Sequence, residues 1–327
     1  MLTNRLKYIC INCHQQILSA QQMRELVMSE ATEMIRCSHC SNEYSLIKFI
    51  PRFVPGENYA DSFGFQWNRH RKTQLDSFSG LDISKRRVED ATAWPADLSG
   101  QCILEAGSGA GRFTEVLVKT GAEIYSFDYS TAVDANYLNN GHNKNLHLFQ
   151  GDIFKIPFAP ESFDKVICLG VIQHTPDPAQ AFASLAKQVK PGGELVIDVY
   201  RDDLLARLQW KYLLRPFTKR IEQQKLYRLI ARLAPTLVPV ARVLRKIAGR
   251  AGARLVPIVE FSYLGLSAEL NMEWAILDTF DMLSPEYDLP QSLETVQSWF
   301  AREGFVDVNV RNGLNGVVGK GVKPAVG

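Results

Sequence analysis

No run in this 327-residue chain approaches about 18 uninterrupted apolar residues, which argues against a membrane-spanning helix. The opening residues, MLTNRLKYICIN, lack a long apolar stretch ahead of a small-residue cleavage site. A secretory leader is therefore not expected, and the expected location is cytoplasmic. Cysteine is scarce. Six in a chain of this length do not make a disulfide scaffold, and four of the six fall in two close pairs, a spacing that suits a reduced compartment and a metal. Neither sign of charge dominates: 37 Lys/Arg face 35 Asp/Glu, and the net charge of +2 by itself points to no partner. Internal repeats and low-complexity tracts are missing. What remains is an ordinary globular composition, long enough for one large domain or two smaller ones, with apolar residues enough for a sizeable core.

The chain is organised around Gln101–Val118, QCILEAGSGAGRFTEVLV. Cys102, Ile103 and Leu104 read as a short buried strand ending at Glu105. Gly107, Gly109 and Gly111 form a turn, and Phe113, Val116 and Leu117 lie on one face of a following helix. Such a turn bends sharply against a ligand, where a Cβ would clash, and the helix start leaves amides open to polar or negative groups. About twenty residues on, Ile124–Phe127 reads as a second strand ending in Asp128, whose carboxylate suits the two hydroxyls of a ribose. Leu146–Phe149, Lys165–Leu169 and Glu194–Tyr200 follow as further strands. They are separated by helical or loop segments, the pattern of a doubly wound parallel sheet whose ligands sit at the carboxyl ends of the strands.

Taken in order, LEAGSGAGRFTEVL, SFDYS, LFQGDIFKIPF, SFDKVICLGVIQHTPDP and KPGGELVIDVY resemble the motifs of class I S-adenosylmethionine-dependent methyltransferases of the type 11 kind. The resemblance covers Leu98–Tyr200 and, less closely, the C-terminal strands. It implies an α/β fold with a seven-stranded, mostly parallel sheet and S-adenosylmethionine as methyl donor. It further implies that Glu105, Gly107, Gly109 and Gly111 cradle the methionine part, that Asp128 and Tyr129 serve the ribose end, that Asp152 and Ile153 contact the adenine, and that Cys168 to Gly170 face the sulfonium. A nicotinamide dehydrogenase is the competing nucleotide reading. It requires G-x-G-x-x-G, but Arg112 stands at the final glycine position.

Ahead of this core, Cys10-Ile-Asn-Cys13 and Cys37-Ser-His-Cys40 place four thiolates so that two tight turns can close a tetrahedron around a structural Zn²⁺. No coordination position is left open for catalysis. Residues 1–55 are read as a zinc ribbon, similar to ribbons fused to some RNA methyltransferases and to small activators of tRNA methyltransferases. A segment this small needs the metal to make up for a missing core. Pro51–Gly56 reads as a linker, and residues 56–97 as a helical lid in which Tyr59, Phe63 and Trp67 cover the sulfonium or the substrate. Packing of these rings on the sheet is the equal alternative. Lys85-Arg86-Arg87 reads as a solvated helix face.

Within the domain at 98–327, His174 follows the fourth strand and is a candidate general base for a hydroxyl or amine. Asp198 and Tyr200 end the fifth strand and are candidates to face the substrate. Residues 201–265 read as a helical insertion, and between 201 and 255 they hold fourteen Lys/Arg against three Asp/Glu. Leu204, Leu205, Leu208, Leu229, Leu233, Val240 and Ile247 recur among these charges at helical spacing, broken by Pro216, Pro235 and Pro239. Such helices suit packing with a solvated basic face, peripheral contact with an anionic membrane, an anionic substrate, or RNA through its phosphates. Glu273, Trp274, Asp278, Asp281 and Tyr287 are expected to complete the substrate wall. Ser292–Glu303 reads as a capped last helix ahead of two antiparallel strands.

The fourth strand lacks the Asn/Asp-Pro-Pro-aromatic motif of base-amine methylation, and no Pro-Cys or Thr-Cys pair is present for attack on pyrimidine rings. The expected substrate is therefore a small-molecule, glycan or lipid-linked intermediate methylated on oxygen, nitrogen or carbon. The core also resembles methyltransferases of quinone biosynthesis. An RNA methyltransferase and a non-catalytic zinc-ribbon scaffold remain the alternatives.

Overall fold

The computed structural model describes residues 6–29, 34–54, 58–202 and 209–325. The N-terminal part is two knuckled hairpins. Strands β1 (Lys7–Ile9) and β2 (Gln16–Ser19) pair antiparallel across the turn that holds Cys10 and Cys13, and helix α1 (Ala20–Ser29) follows. Strands β3 (Met34–Arg36) and β4 (Glu43–Ile47) flank the turn that holds Cys37 and Cys40. Then β5 (Ile50–Arg52) pairs antiparallel with β4.

Three helices precede the core: α2 (Asp61–Arg69), α3 (Asp76–Ser79) and α4 (Ile83–Thr92). Next come β6 (Cys102–Ala106), α5 (Thr114–Leu117), β7 (Glu123–Asp128), α6 (Ala132–Asn140), β8 (Leu146–Gln150), β9 (Phe163–Leu169), α7 (Pro178–Gln188) and β10 (Val189–Val199). The insertion supplies α8 (Trp210–Thr218) and α9 (Gln223–Ala253). It is followed by α10 (Ala268–Leu283), α11 (Leu293–Arg302), β11 (Val306–Asn312) and β12 (Val317–Val322).

The large sheet runs β11-β12-β10-β9-β6-β7-β8-β5-β4-β3. From β8 to β10 it is parallel, and β12 enters antiparallel between β10 and β11. These are the seven strands expected for the α/β core. The order reverses at β6, which lies between β7 and β9, and it is there that such sheets open a crevice at their carboxyl ends. Ser292 caps α11 by accepting from the Thr295 amide at 3.1 Å, as its sequence position implies.

The linker expected at Pro51–Gly56 begins instead inside a strand. β5 runs parallel to β8, with Arg52 opposite Gln150, so three N-terminal strands extend the sheet to ten. Pro55 and Gly56 lie outside the described residues. Aromatic packing accounts for the join. Tyr8 and Phe53, each 1% exposed, meet Phe158 and Phe149 of the core: Tyr8–Phe158 centroids are 4.6 Å apart, and Phe53–Phe149 6.2 Å. The N-terminal unit therefore borrows a core from the sheet rather than depending on a metal alone.

Two further expectations change. The helix after the glycine turn has only four α-helical residues before a 3₁₀ turn at Val118–Thr120. The three prolines do not break the insertion helices. Pro216 sits inside α8, and Pro235 and Pro239 inside α9; the interruption falls at Ala248 and at Gly249, whose φ is 59° and ψ −145°. Pro235 and Pro239 lie on the exposed side of α9, where water can satisfy the carbonyls they leave unpaired. Leu204, Leu205 and Leu208 lie outside the described residues. Among the described residues, no helix is long and apolar enough to cross a membrane.

Candidate active site

A cavity of about 860 Å³ opens at the carboxyl ends of β6, β7, β9 and β10. Its floor is the glycine turn. Gly107, Gly109 and Gly111 have φ of 76°, 53° and 88°, a region open to glycine and costly for other residues. A Cβ on Gly107 would lie 2.2 Å from Val171 Cγ2 and 2.6 Å from its Cγ1. Gly107→Ala is therefore expected to destabilise the fold by about 2–4 kcal/mol, combining left-handed strain with overpacking. Gly80→Ala is the control. It has a similar φ of 72°, but among the described residues nothing lies within 4 Å of the added methyl, so urea unfolding should show the smaller loss, about 1 kcal/mol.

Asp128 ends β7 and holds this turn. Its Oδ2 accepts from the Gly109 amide at 2.8 Å, and its Oδ1 from the Ser130 amide at 2.9 Å and hydroxyl at 2.6 Å. The Gly109 amide is thus already taken. Burial pushes the Asp128 carboxyl above its ordinary range, and the Ser130 bonds oppose that rise.

Not every residue singled out from the sequence reaches the cavity wall. Gly107, Gly109, Asp128, Tyr129, Ile153, Gly170, His174, Tyr59, Phe63, Trp67 and Tyr200 line it; Glu105, Gly111, Asp152 and Cys168 do not. Glu105 is buried among Thr114 and Ser126, whose hydroxyls donate to its Oε2 at 2.6 and 2.7 Å. Its Oε1 is buried with no partner among the described residues, and burial raises its carboxyl to about 7. A cationic donor at Oε1 would reverse that rise. Gly111 packs on Asn136 and Asn140, and Cys168 is a fully buried core residue of β9.

The roof comes from the segment before the core. Trp67 lies over Gly109, 3.3 Å from the position its Cβ would take, and Gly64 lets α2 approach Thr131 closely. Tyr59 packs on Tyr129 with centroids 4.9 Å apart, and Phe63 on His174 at 5.1 Å. The far wall is α10, which contributes Trp274, Asp278 and Asp281. The Asp278 carboxyl is raised to about 7 by burial and by Asp281. Glu273 faces His70 and Thr73 instead, and Tyr287 contributes its backbone carbonyl and an edge contact with Tyr59.

His174 lines the cavity between the rings of Phe63 and Tyr200. Its Nδ1 lies 2.9 Å from the Tyr287 carbonyl, an acceptor only, so Nδ1 carries the hydrogen and Nε2 keeps its lone pair. Burial lowers its pKa below the ordinary 6.5, against the pull of Asp281 and Asp288, which keeps the ring neutral near pH 7.

Two cavity residues escaped the sequence. Arg87, read as solvated, is buried on α4 and grips Asp198 with two bonds of 2.7 Å. Asp198 is therefore occupied by an ion pair rather than facing a substrate. A carboxylate inside a buried strand needs such a partner, and that was the available signal. Arg112, noted only as a glycine replacement, stacks over Phe113 at 4.5 Å and donates to Gln74, which in turn donates to Asp278 at 2.7 Å.

The four paired cysteines also converge. Their sulfurs all lie within 4.8 Å of one another, with Cys10–Cys40 at 3.5 Å and Cys13–Cys37 at 3.6 Å. Four thiolates about 2.3 Å from a Zn²⁺ stand about 3.8 Å apart, so the set fits that ion. The Tyr44 hydroxyl lies 3.0 Å from Cys10 Sγ, an outer partner of the kind that orients metal ligands.

Compared with known proteins, residues 104–197 match the family described as methyltransferase domain. Residues 104–197 are a methyltransferase domain. An Alkalilimnicola ehrlichii protein named ubiquinone biosynthesis O-methyltransferase is 30% identical over 145 residues, covering 42% of this chain and 59% of that protein. A Xylella fastidiosa protein of the same name is 27% identical over 197 residues, covering 56% and 77%. The chain thus spans little more than half the length of the first of these relatives. A crystal structure from Methanococcus maripaludis described as an S-adenosyl-L-methionine-dependent methyltransferase is 14% identical. It covers 84% of this chain and 97% of that one at a TM-score of 0.45, a likeness too loose to bear on function. The methyltransferase domain runs from within β6 to within β10, so it contains the glycine turn, Asp128 and His174.

Proposed function

We propose that the protein transfers a methyl group from S-adenosylmethionine to a small-molecule, glycan or lipid-linked biosynthetic intermediate. The observation that carries the reading is the clasp of Asp128 on Gly109 at the base of the cavity, inside the methyltransferase domain. The residues present fit the donor. The glycine turn leaves room against its backbone, Glu105 keeps one buried oxygen without a partner among the described residues, and Tyr59, Phe63 and Trp67 offer aromatic faces to a cation, each worth roughly 0.5–2 kcal/mol. When bound, S-adenosylmethionine supplies an electrophilic methyl carbon. The chain's own task is to orient the acceptor, exclude water and take up a proton.

On this reading His174 Nε2 receives the proton of an acceptor hydroxyl or amine, and the Tyr287 carbonyl holds the ring in the tautomer that allows it. The relatives named O-methyltransferases favour oxygen as the acceptor atom. The four-cysteine cluster is read as a structural Zn²⁺ site, because all four positions are filled by protein.

The test is transfer of a labelled methyl group into extract fractions. Label should enter the small-molecule or lipid fraction, and label confined to RNA would overturn the substrate class. His174→Gln should slow transfer about 10²–10³-fold while leaving donor affinity within about twofold. The wild-type rate should fall as pH drops below the lowered His174 pKa, because protonation removes the Nε2 lone pair, and the variant should lose that acid limb. An unchanged limb would remove His174 from the mechanism.

A further inference from the structure

We propose that the exposed apolar face of α9 docks on an anionic lipid surface. The helix buries Leu226, Tyr227, Ile230, Ala234, Val238 and Ala241, packing them largely against α10. At 3.6 residues per turn, Leu229, Leu233, Val240, Val243 and Ile247 fall on a different face. They are 48, 45, 46, 55 and 76% exposed. Arg228, Arg232, Arg242 and Lys246, all exposed, form the strip beside them. On the preceding helix, Leu213 and Phe217 are 73 and 71% exposed. Among the described residues, eleven of the twenty large apolar side chains that are exposed fall between Leu213 and Tyr263. That concentration is a patch rather than the usual scatter.

Charge selects the occupant. From Gln209 to Val259 the chain has twelve Lys/Arg and a single acid, Glu222. Arg220, Arg232, Arg242, Lys246, Arg250 and Arg254 are exposed, and none is in an ion pair among the described residues. A second copy of this face would set like charges against each other. RNA would use the cations but leave the apolar stripe in water. A bilayer with anionic headgroups takes up both. Arg250 and Arg254, at the end of α9, also line the cavity, so its mouth lies at the end of the docking helix. A substrate dissolved in the bilayer would have a short path inward. That last point rests on the methyl-transfer reading; the docking does not.

Flotation of the full chain with vesicles tests this. The wild type should float with phosphatidylcholine–phosphatidylglycerol vesicles, about tenfold or more better than with phosphatidylcholine alone, and should be released by salt. L233E/I247E and R232Q/R242Q/K246Q should each reduce flotation about tenfold or more. Donor binding by calorimetry and the melting temperature should stay unchanged, since none of these five residues lines the cavity. Failure of the wild type to float would overturn docking, and so would L233E/I247E floating like the wild type. A wild-type dimer that L233E/I247E converts to monomer would assign the face to a second copy instead. Vesicle binding without methyl transfer would leave docking standing and count against the proposed function alone.

Discussion

Asp128→Ala is expected to weaken S-adenosylmethionine binding by on the order of a thousandfold, the largest effect of any single change at the cavity. Two ribose hydroxyls donating to a carboxylate make charge-assisted bonds, each worth about 1.5–3 kcal/mol. Both oxygens are already engaged with the turn: Oδ2 accepts from the Gly109 amide and keeps a second lone pair, while Oδ1 accepts two bonds from Ser130 and frees a lone pair when the Ser130 hydroxyl turns toward the ligand. The same side chain thus shapes the floor and faces the ligand. Asp128→Asn separates the two tasks. It keeps one carbonyl oxygen as acceptor and loses the charge, so its affinity should fall between those of the wild type and Asp128→Ala. The sign of the pH dependence follows from burial. Protonation removes an acceptor, so affinity is present above the carboxyl pKa and lost below it. Because burial raises that pKa, the loss should begin at a higher pH than for an ordinary aspartate. Calorimetry across pH checks both points, and an Asp128→Ala protein that binds as the wild type does would place the ribose elsewhere.

The floor of the site was legible because its signals are local. A turn that needs positive φ selects glycine, and a strand that ends at a ligand selects a carboxylate. Gly107, Gly109 and Asp128 are therefore found within thirty residues of one another, without knowledge of the rest of the chain. The walls were less legible because their partners are remote. Arg87 looks like one of three consecutive cations, and only the distant Asp198 turns it inward, while Lys85 and Arg86 stay exposed. The edge of the sheet was hidden for a similar reason. Ile50–Arg52 is a three-residue strand containing proline, and its pairing with β8 is stabilised by Phe53 and Tyr8 meeting Phe149 and Phe158, about a hundred residues or more further along the chain. Prolines misled in α9 because propensity was weighed without tertiary packing, and the buried face toward α10 outweighs two lost backbone bonds.

Cys37→Ser should abolish zinc content and lower the melting temperature by on the order of 10 °C. A structural zinc contributes folding free energy directly, about 10–16 kcal/mol in isolated fingers, which unfold without it. This unit is not isolated. Cys10 and Cys37 are fully buried in the same hydrophobic cluster as Tyr8, Phe53, Phe149 and Phe158, so part of its stability comes from aromatic packing on the sheet. Loss of the metal should therefore loosen the two hairpins without unfolding the methyltransferase domain, which caps the loss at a fraction of the finger value. Metal analysis of the purified wild type should find about one zinc per chain, and a strong chelator should reproduce the melting shift of Cys37→Ser. A zinc-free wild type with the same melting temperature as the variant would leave the four sulfurs as free thiols. The consequence for the site is specific. The second hairpin runs through β5 toward α2, whose Phe63 and Trp67 roof the cavity, so the metal-depleted protein should also bind S-adenosylmethionine more weakly while keeping Asp128 and its turn intact. Donor affinity untouched by zinc removal would show that the roof is held by α10 and α6 alone.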